Sequence, residues 1–213
     1  MTEPDVALTD YALAVECFIF AAWLIRVSTP SKSKKIWSGI AFLSLGIASV
    51  IGGTVHGYFR EETTMGYKIL WPAALLSIGV TALASWILGA EILFSKRLAA
   101  YGKTAAIVAF GIYACEILFV NQSFRIAIFF YVPAILLILA ASCHIYAQDR
   151  AWPALLGIAG ILLSLLAPVM QQAGYSWPAL HLNHNAVFHL FQGLSNAFVF
   201  LAVRWYLQTR RTA

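Results

Sequence analysis

Four of the chain's five histidines fall in two short segments, and imidazole is the side chain best suited to bind metals or move protons near neutral pH. His56 closes an apolar run as GGTVHGYF, and His181, His184 and His189 open another as HLNHNAVFHLFQ. Glu16, Glu116, Asn183, Asn185 and Gln192 add polar groups within or beside apolar runs. Ionisable groups at membrane depth are costly and mark functional sites or polar networks. Three imidazoles can hold zinc with an open position for water, which the metal turns into a nucleophile near neutral pH. Two histidines from different helices can instead serve as axial haem ligands. Carboxylates interleaved with imidazoles can pass protons.

Helix geometry narrows the ligand choice. Asn185 and His189 are four residues apart and share a face. His184 lies about 140° from His189 around an ideal helix, an awkward pairing for one metal. Asn183 has the chemistry of an N-cap, which would leave His181 in the preceding loop. His56 and His189 are therefore the leading pair, with the third position open between His184 and His181. A lone intramembrane histidine can equally be held by one structural hydrogen bond. Glu91 falls at the opposite end, where it is expected to snorkel toward Lys96 or Arg97. Glu116 suits a structural or a site role equally. Gly52 and Gly53 suit close helix approach.

The elements that must position these groups are membrane helices. The chain is 61% hydrophobic and 11% charged with a mean hydropathy of +0.79, far less charged than the roughly one quarter of a soluble domain. Seven apolar runs are long enough to cross a bilayer: Tyr11–Val27, Ile36–Phe59, Ile69–Phe94, Thr104–Val120, Arg125–Ala147, Trp152–Gln172 and His184–Leu207. The expectation is an all-α protein, one seven-helix transmembrane domain over residues 1–213. Arg26, Lys32, Lys34, Lys35, Lys96, Arg97, Lys103, Arg150, Arg204, Arg210 and Arg211 fall on one side of such a bundle, and only Arg60, Lys68 and Arg125 on the other. The positive-inside rule then places the N-terminus outside and the C-terminus in the cytoplasm. Trp37, Trp152 and Trp205 fall near one interface, and Trp71 and Trp177 near the other. The net charge of +5 is a topology signal, because no basic face with interleaved aromatics points to nucleic acid. Cys17, Cys115 and Cys143 sit inside apolar runs and read as small buried hydrophobes.

Seven short-looped spans, a histidine late in the second and HNAVFH opening the seventh resemble the alkaline ceramidase and adiponectin-receptor superfamily of membrane proteins. The GGT-x-HG and NHN-x-x-x-HL patterns are also similar to small bacterial seven-span proteins. The superfamily resemblance implies a zinc ion held by a second-span histidine, matched by His56, and by an H-x-x-x-H pair. His189 matches the second histidine of that pair, and Asn185 stands at the first. Gly52 stands where the family has a serine, and no aspartate follows His56 at the start of the third span.

The resulting expectation is a zinc-dependent hydrolase of a lipid amide or ester at the outer leaflet of a bacterial plasma membrane. His56, His189 and one of His184 or His181 would hold the metal, and Glu16 or Asn185 would position the water. The competing readings are a sensor or binding protein for a metal, haem or lipid, and a proton or ion pathway. A retinal-type pigment is disfavoured because the seventh span has no lysine.

Overall fold

The computed structural model describes residues 1–209. Seven helices, each long and apolar enough to cross a membrane, account for nearly all of them: α1 Pro4–Arg26, α2 Lys32–Tyr58, α3 Met65–Leu93, α4 Lys96–Phe119, α5 Phe124–Asp149, α6 Trp152–Gln172 and α7 His184–Thr209. A short 3-10 turn, Pro178–Leu180, interrupts the connection between α6 and α7. Arg210 and Arg211, counted above toward one side, lie outside the described residues.

The main departure from the sequence reading is the start of α1. The segment MTEPDVALTD looks like an acidic tail, yet the helix begins at Pro4, seven residues before the expected span. Pro4 needs no amide partner in the first turn, and Asp5 sits favourably at the positive end of the helix dipole. Buried Val6, Ala7, Asp10, Leu13, Ala14, Cys17, Ala21 and Leu24 follow one helical stripe. Asp10 therefore faces the bundle interior.

Six helices form a closed ring in the order α1, α2, α3, α5, α6, α7, while α4 packs outside it against α3 with slight contact to α5. In lipid, apolar burial does little to join helices, so packing and small residues decide the approach distances. A Cβ added at Gly53 would lie 3.0 Å from Asp10 Cβ and 3.1 Å from the Ala7 carbonyl, so glycine sets the α1–α2 spacing there. At Gly160 an added Cβ would meet the Ser195 carbonyl at 2.8 Å, and the Ser195 hydroxyl donates to the Gly160 carbonyl at 2.7 Å. Phe20, Phe42 and Phe200 tie α1, α2 and α7 together, Phe20 stacking on Phe200 with centroids 4.2 Å apart.

Two sequence expectations are corrected. Cys17 is buried, but Cys115 and Cys143 are exposed on the bundle's outer surface, where a thiol is apolar enough for lipid. Glu91 accepts a 2.6 Å hydrogen bond from the Ser33 hydroxyl, because α2 and α3 are neighbours and the α2 start reaches it.

Candidate functional site

The polar end of the ring is organised by α1, and its acidic residues are the ones missed from sequence. Asp10 Oδ1 lies 3.3 Å from His189 Nε2, with both side chains less than a tenth exposed. The other ring nitrogen, Nδ1, lies 3.1 Å from the Thr9 hydroxyl. That hydroxyl stands 2.9 Å from the Asp5 carbonyl and 3.0 Å from the Val6 carbonyl, so its hydrogen goes to the backbone and its oxygen accepts from His189. This arrangement favours the tautomer with the proton on Nδ1 and turns Nε2 toward the Asp10 carboxyl.

A second imidazole–carboxylate pair stands beside the first. His56 Nδ1 lies 2.7 Å from Glu3 Oε2, and Arg60 reaches the other Glu3 oxygen at 3.5 Å. An added Cβ at Gly52, one turn before His56, would touch the Asp10 carboxylate at 3.3 Å. A serine at that place would crowd the aspartate. The α7 start is anchored to α1 as well: Asn183 caps α7 by accepting from the amides of Asn185 and Ala186, while its own amide donates to Asp5 at 3.0 Å.

The expected ligand set separates into two groups. His56 and His189 lie at the same end of the bundle. His184 is exposed at the first residue of α7, and His181 is exposed in the loop with left-handed backbone, φ 54°. Asn185 accepts a 2.8 Å hydrogen bond from Gln171 of α6. Glu16 lies deeper, its carboxylate 3.3 Å from where a Gly193 Cβ would stand. Glu116 is carried by α4, which packs outside the ring on α3 and reaches α2 only where Lys103 lies over the Trp37 ring at the opposite end, and so stands apart from the histidines. Among the described residues, no three of His, Cys, Asp or Glu are arranged to hold a metal ion. The donors fit hydrogen bonding better than zinc: both His189 nitrogens and His56 Nδ1 already face protein partners.

Residues 6–208 match a family of unknown function, DUF6962. The chain belongs to this family. No curated protein and no solved structure matches it.

The polar contacts continue inward along the α1–α7 seam of this family member. Below His189 come Glu16 against Gly193, then Asn196, whose amide donates to Cys17 Sγ at 3.5 Å and accepts from Gln192 at 3.1 Å. From Asn183 to Asn196 this series covers about 20 Å at 1.5 Å per residue. It ends at a cavity of about 130 Å³ lined by five helices of the ring, α2, α3, α5, α6 and α7. The sequence signal that would have revealed Asp10 was its place on the α1 stripe, four residues after buried Val6 and three before buried Leu13.

Proposed function

We propose that this chain is an integral protein of the bacterial plasma membrane, its histidine end outside, and that the Asp10–His189 pair makes it proton-responsive. The seven apolar helices support the membrane reading, and the one-sided distribution of basic residues supports the orientation. The observation that carries the function is the contact of two buried ionisable side chains on different helices, with Thr9 holding the imidazole tautomer. With a proton shared between Nε2 and Asp10, the pair is a hydrogen bond or ion pair that clasps α1 to α7. When that proton leaves, the Asp10 oxygen faces the bare lone pair of Nε2, and two acceptors repel in a poorly solvated site. The clasp then loosens as pH rises through the pair's own titration. Glu3 just before α1, Asp5 and Glu16 on α1, His56 on α2, His184 on α7 and Arg60 beyond α2 set the local field in which this happens.

Infrared difference spectra of the full chain in lipid, titrated over about pH 4 to 10, test this reading. A carboxyl or carboxylate band that changes with pH and disappears in Asp10→Asn is the expected result. A spectrum unaltered by Asp10→Asn removes the pair as the proton site.

A zinc-dependent lipid hydrolase is the second reading. The observation in its favour is that His56 and His189, the two positions matching the ceramidase-like pattern, share one end of the bundle. It predicts about one zinc per purified chain, lost in His56→Ala and His189→Ala. Elemental analysis that finds no zinc in the parent chain leaves the proton-responsive reading alone.

A further inference from the structure

The cavity lies between α2, α3, α5, α6 and α7 and belongs to neither histidine pair. Its lining on α2 runs from Lys34 to Leu45, a rise of about 16 Å. It is thus a slot parallel to the helices, reaching from the lysine-bearing end to mid-bundle. Most of its wall is apolar, with Phe42, Leu88, Ile138, Ile145 and Val203 among the lining side chains.

Ser38, Ser85 and Ser195 line the slot but give their hydroxyl hydrogens to backbone carbonyls, whereas a group of polar side chains gathers at its inner limit. Gln192 and Asn196 of α7, Tyr131 of α5, Ser164 of α6 and Thr81 of α3 all line it. Gln192 and Asn196 satisfy each other only in part, through one amide-to-amide hydrogen bond of 3.1 Å. Each primary amide has two donors and an acceptor, so capacity is left over. Tyr131 points toward Ser164, yet the Ser164 hydroxyl is buried and completes no hydrogen bond of ordinary geometry. Thr81 is held by Ser44 at 2.8 Å. This collar has both donors and acceptors and carries no charge.

Charge sits only at the far end. Lys34 contacts the Tyr206 hydroxyl at 3.0 Å and its ring at 5.3 Å to the centroid, and among the described residues no carboxylate pairs with it. A charged head group carried to the collar would be desolvated without a counter-charge, whereas a hydroxyl would find partners for its hydrogen and its lone pairs. A chain extending from that hydroxyl would meet apolar wall along the remaining length.

We propose that the slot binds an uncharged single-chain amphiphile, its hydroxyl head on the Gln192–Asn196–Tyr131 collar and its tail toward Lys34. The inference is independent of the proton-responsive reading, since it uses neither Asp10 nor either histidine pair.

Photolabelling of the full chain in nanodiscs tests it, with dodecanol carrying a photoreactive diazirine near the chain end. Labelled peptides should map to the slot-lining stretches of α3 and α5 near Leu88 and Ile145. Unlabelled dodecanol should compete, while dodecanoate and dodecylammonium should compete about tenfold less well, a difference of about 1.4 kcal/mol. Gln192→Leu with Asn196→Leu should lower slot labelling about tenfold. Tyr131→Phe, which removes one hydroxyl and little volume, should lower it several-fold while leaving the fold intact. Asp10→Asn should leave slot labelling unchanged. Labelling confined to the lipid-facing surface overturns the proposal. So does equal competition by the charged analogues, or labelling that persists in both the double variant and Tyr131→Phe.

Discussion

Two seams of the bundle solve the same problem with different chemistry. Where α3 meets α4 and α5, Tyr113 stacks on Phe130 with centroids 4.6 Å apart and donates its hydroxyl hydrogen to the Leu75 carbonyl at 2.7 Å. Leu75, Ile117 and Ala127 complete a buried cluster, and Trp71 donates to the Gln122 carbonyl nearby. Both of these hydrogen bonds between helices run from a neutral side-chain donor to a backbone acceptor. Where α1 meets α2 and α7, the aromatic trio Phe20, Phe42 and Phe200 supplies comparable packing, yet two imidazole–carboxylate pairs are added above it. The neutral seam shows that this bundle can join helices without buried ionisable groups. The ionisable groups of the other seam therefore exceed what holding helices together requires, and their cost is the reason to assign them a function.

The comparison breaks most readily at Asp10. Asp10→Ala leaves His189 buried without its partner and should lower stability by about 3 kcal/mol or more, measured by unfolding in mixed detergent micelles. Combining it with His189→Leu should restore much of the loss, because the stranded polar group is gone. A double variant as unstable as the sum of its parts would show that the two side chains are not coupled. The equivalent test of the neutral seam is Gly79→Ala. The new Cβ would have to displace the Tyr113 ring, at a cost of about 1–3 kcal/mol in the same assay.

Tyr113→Phe removes only the neutral hydrogen bond and should cost about 1 kcal/mol. That loss should be the same at pH 5 and at pH 8, whereas the cost of Asp10→Ala should shrink as pH rises and the wild-type clasp gives up its proton. Equal pH dependence at the two sites would erase the distinction between the seams. The smallest effect is expected for Glu3→Gln. Glu3 pairs with a His56 side chain about a quarter exposed and with an Arg60 side chain more than half exposed, so the loss should stay below about 1 kcal/mol and shrink further in high salt.

Much of the bundle was legible along the chain. Apolar runs separated by segments such as STPSKSKK and REETTMGYK specify seven helices, because hydropathy is a local sum that needs no knowledge of neighbours. Alternation alone puts the end of α2 and the start of α7 at one face, and so brings His56 and His189 to the same side. The cap at Asn183 and the close approach at Gly53 follow from residue type. What the chain did not reveal was the partner of each polar group. Helices facing lipid are apolar nearly all round, so their hydrophobic pattern does not say which flank meets which neighbour.

Only the closed ring decided that α1 lies between α2 and α7, which turns Asp10 and Glu3 toward the two histidines and leaves Asn185 to Gln171. The same ring excludes α4, separating Glu116 from the histidines. It also forms the slot, whose uncharged collar gathers single residues from α3, α5 and α6 with two from α7. Each of these side chains is unremarkable within its own segment. They acquire chemistry in common only because helix packing, a non-local choice among surfaces of nearly equal hydropathy, brings them to one depth.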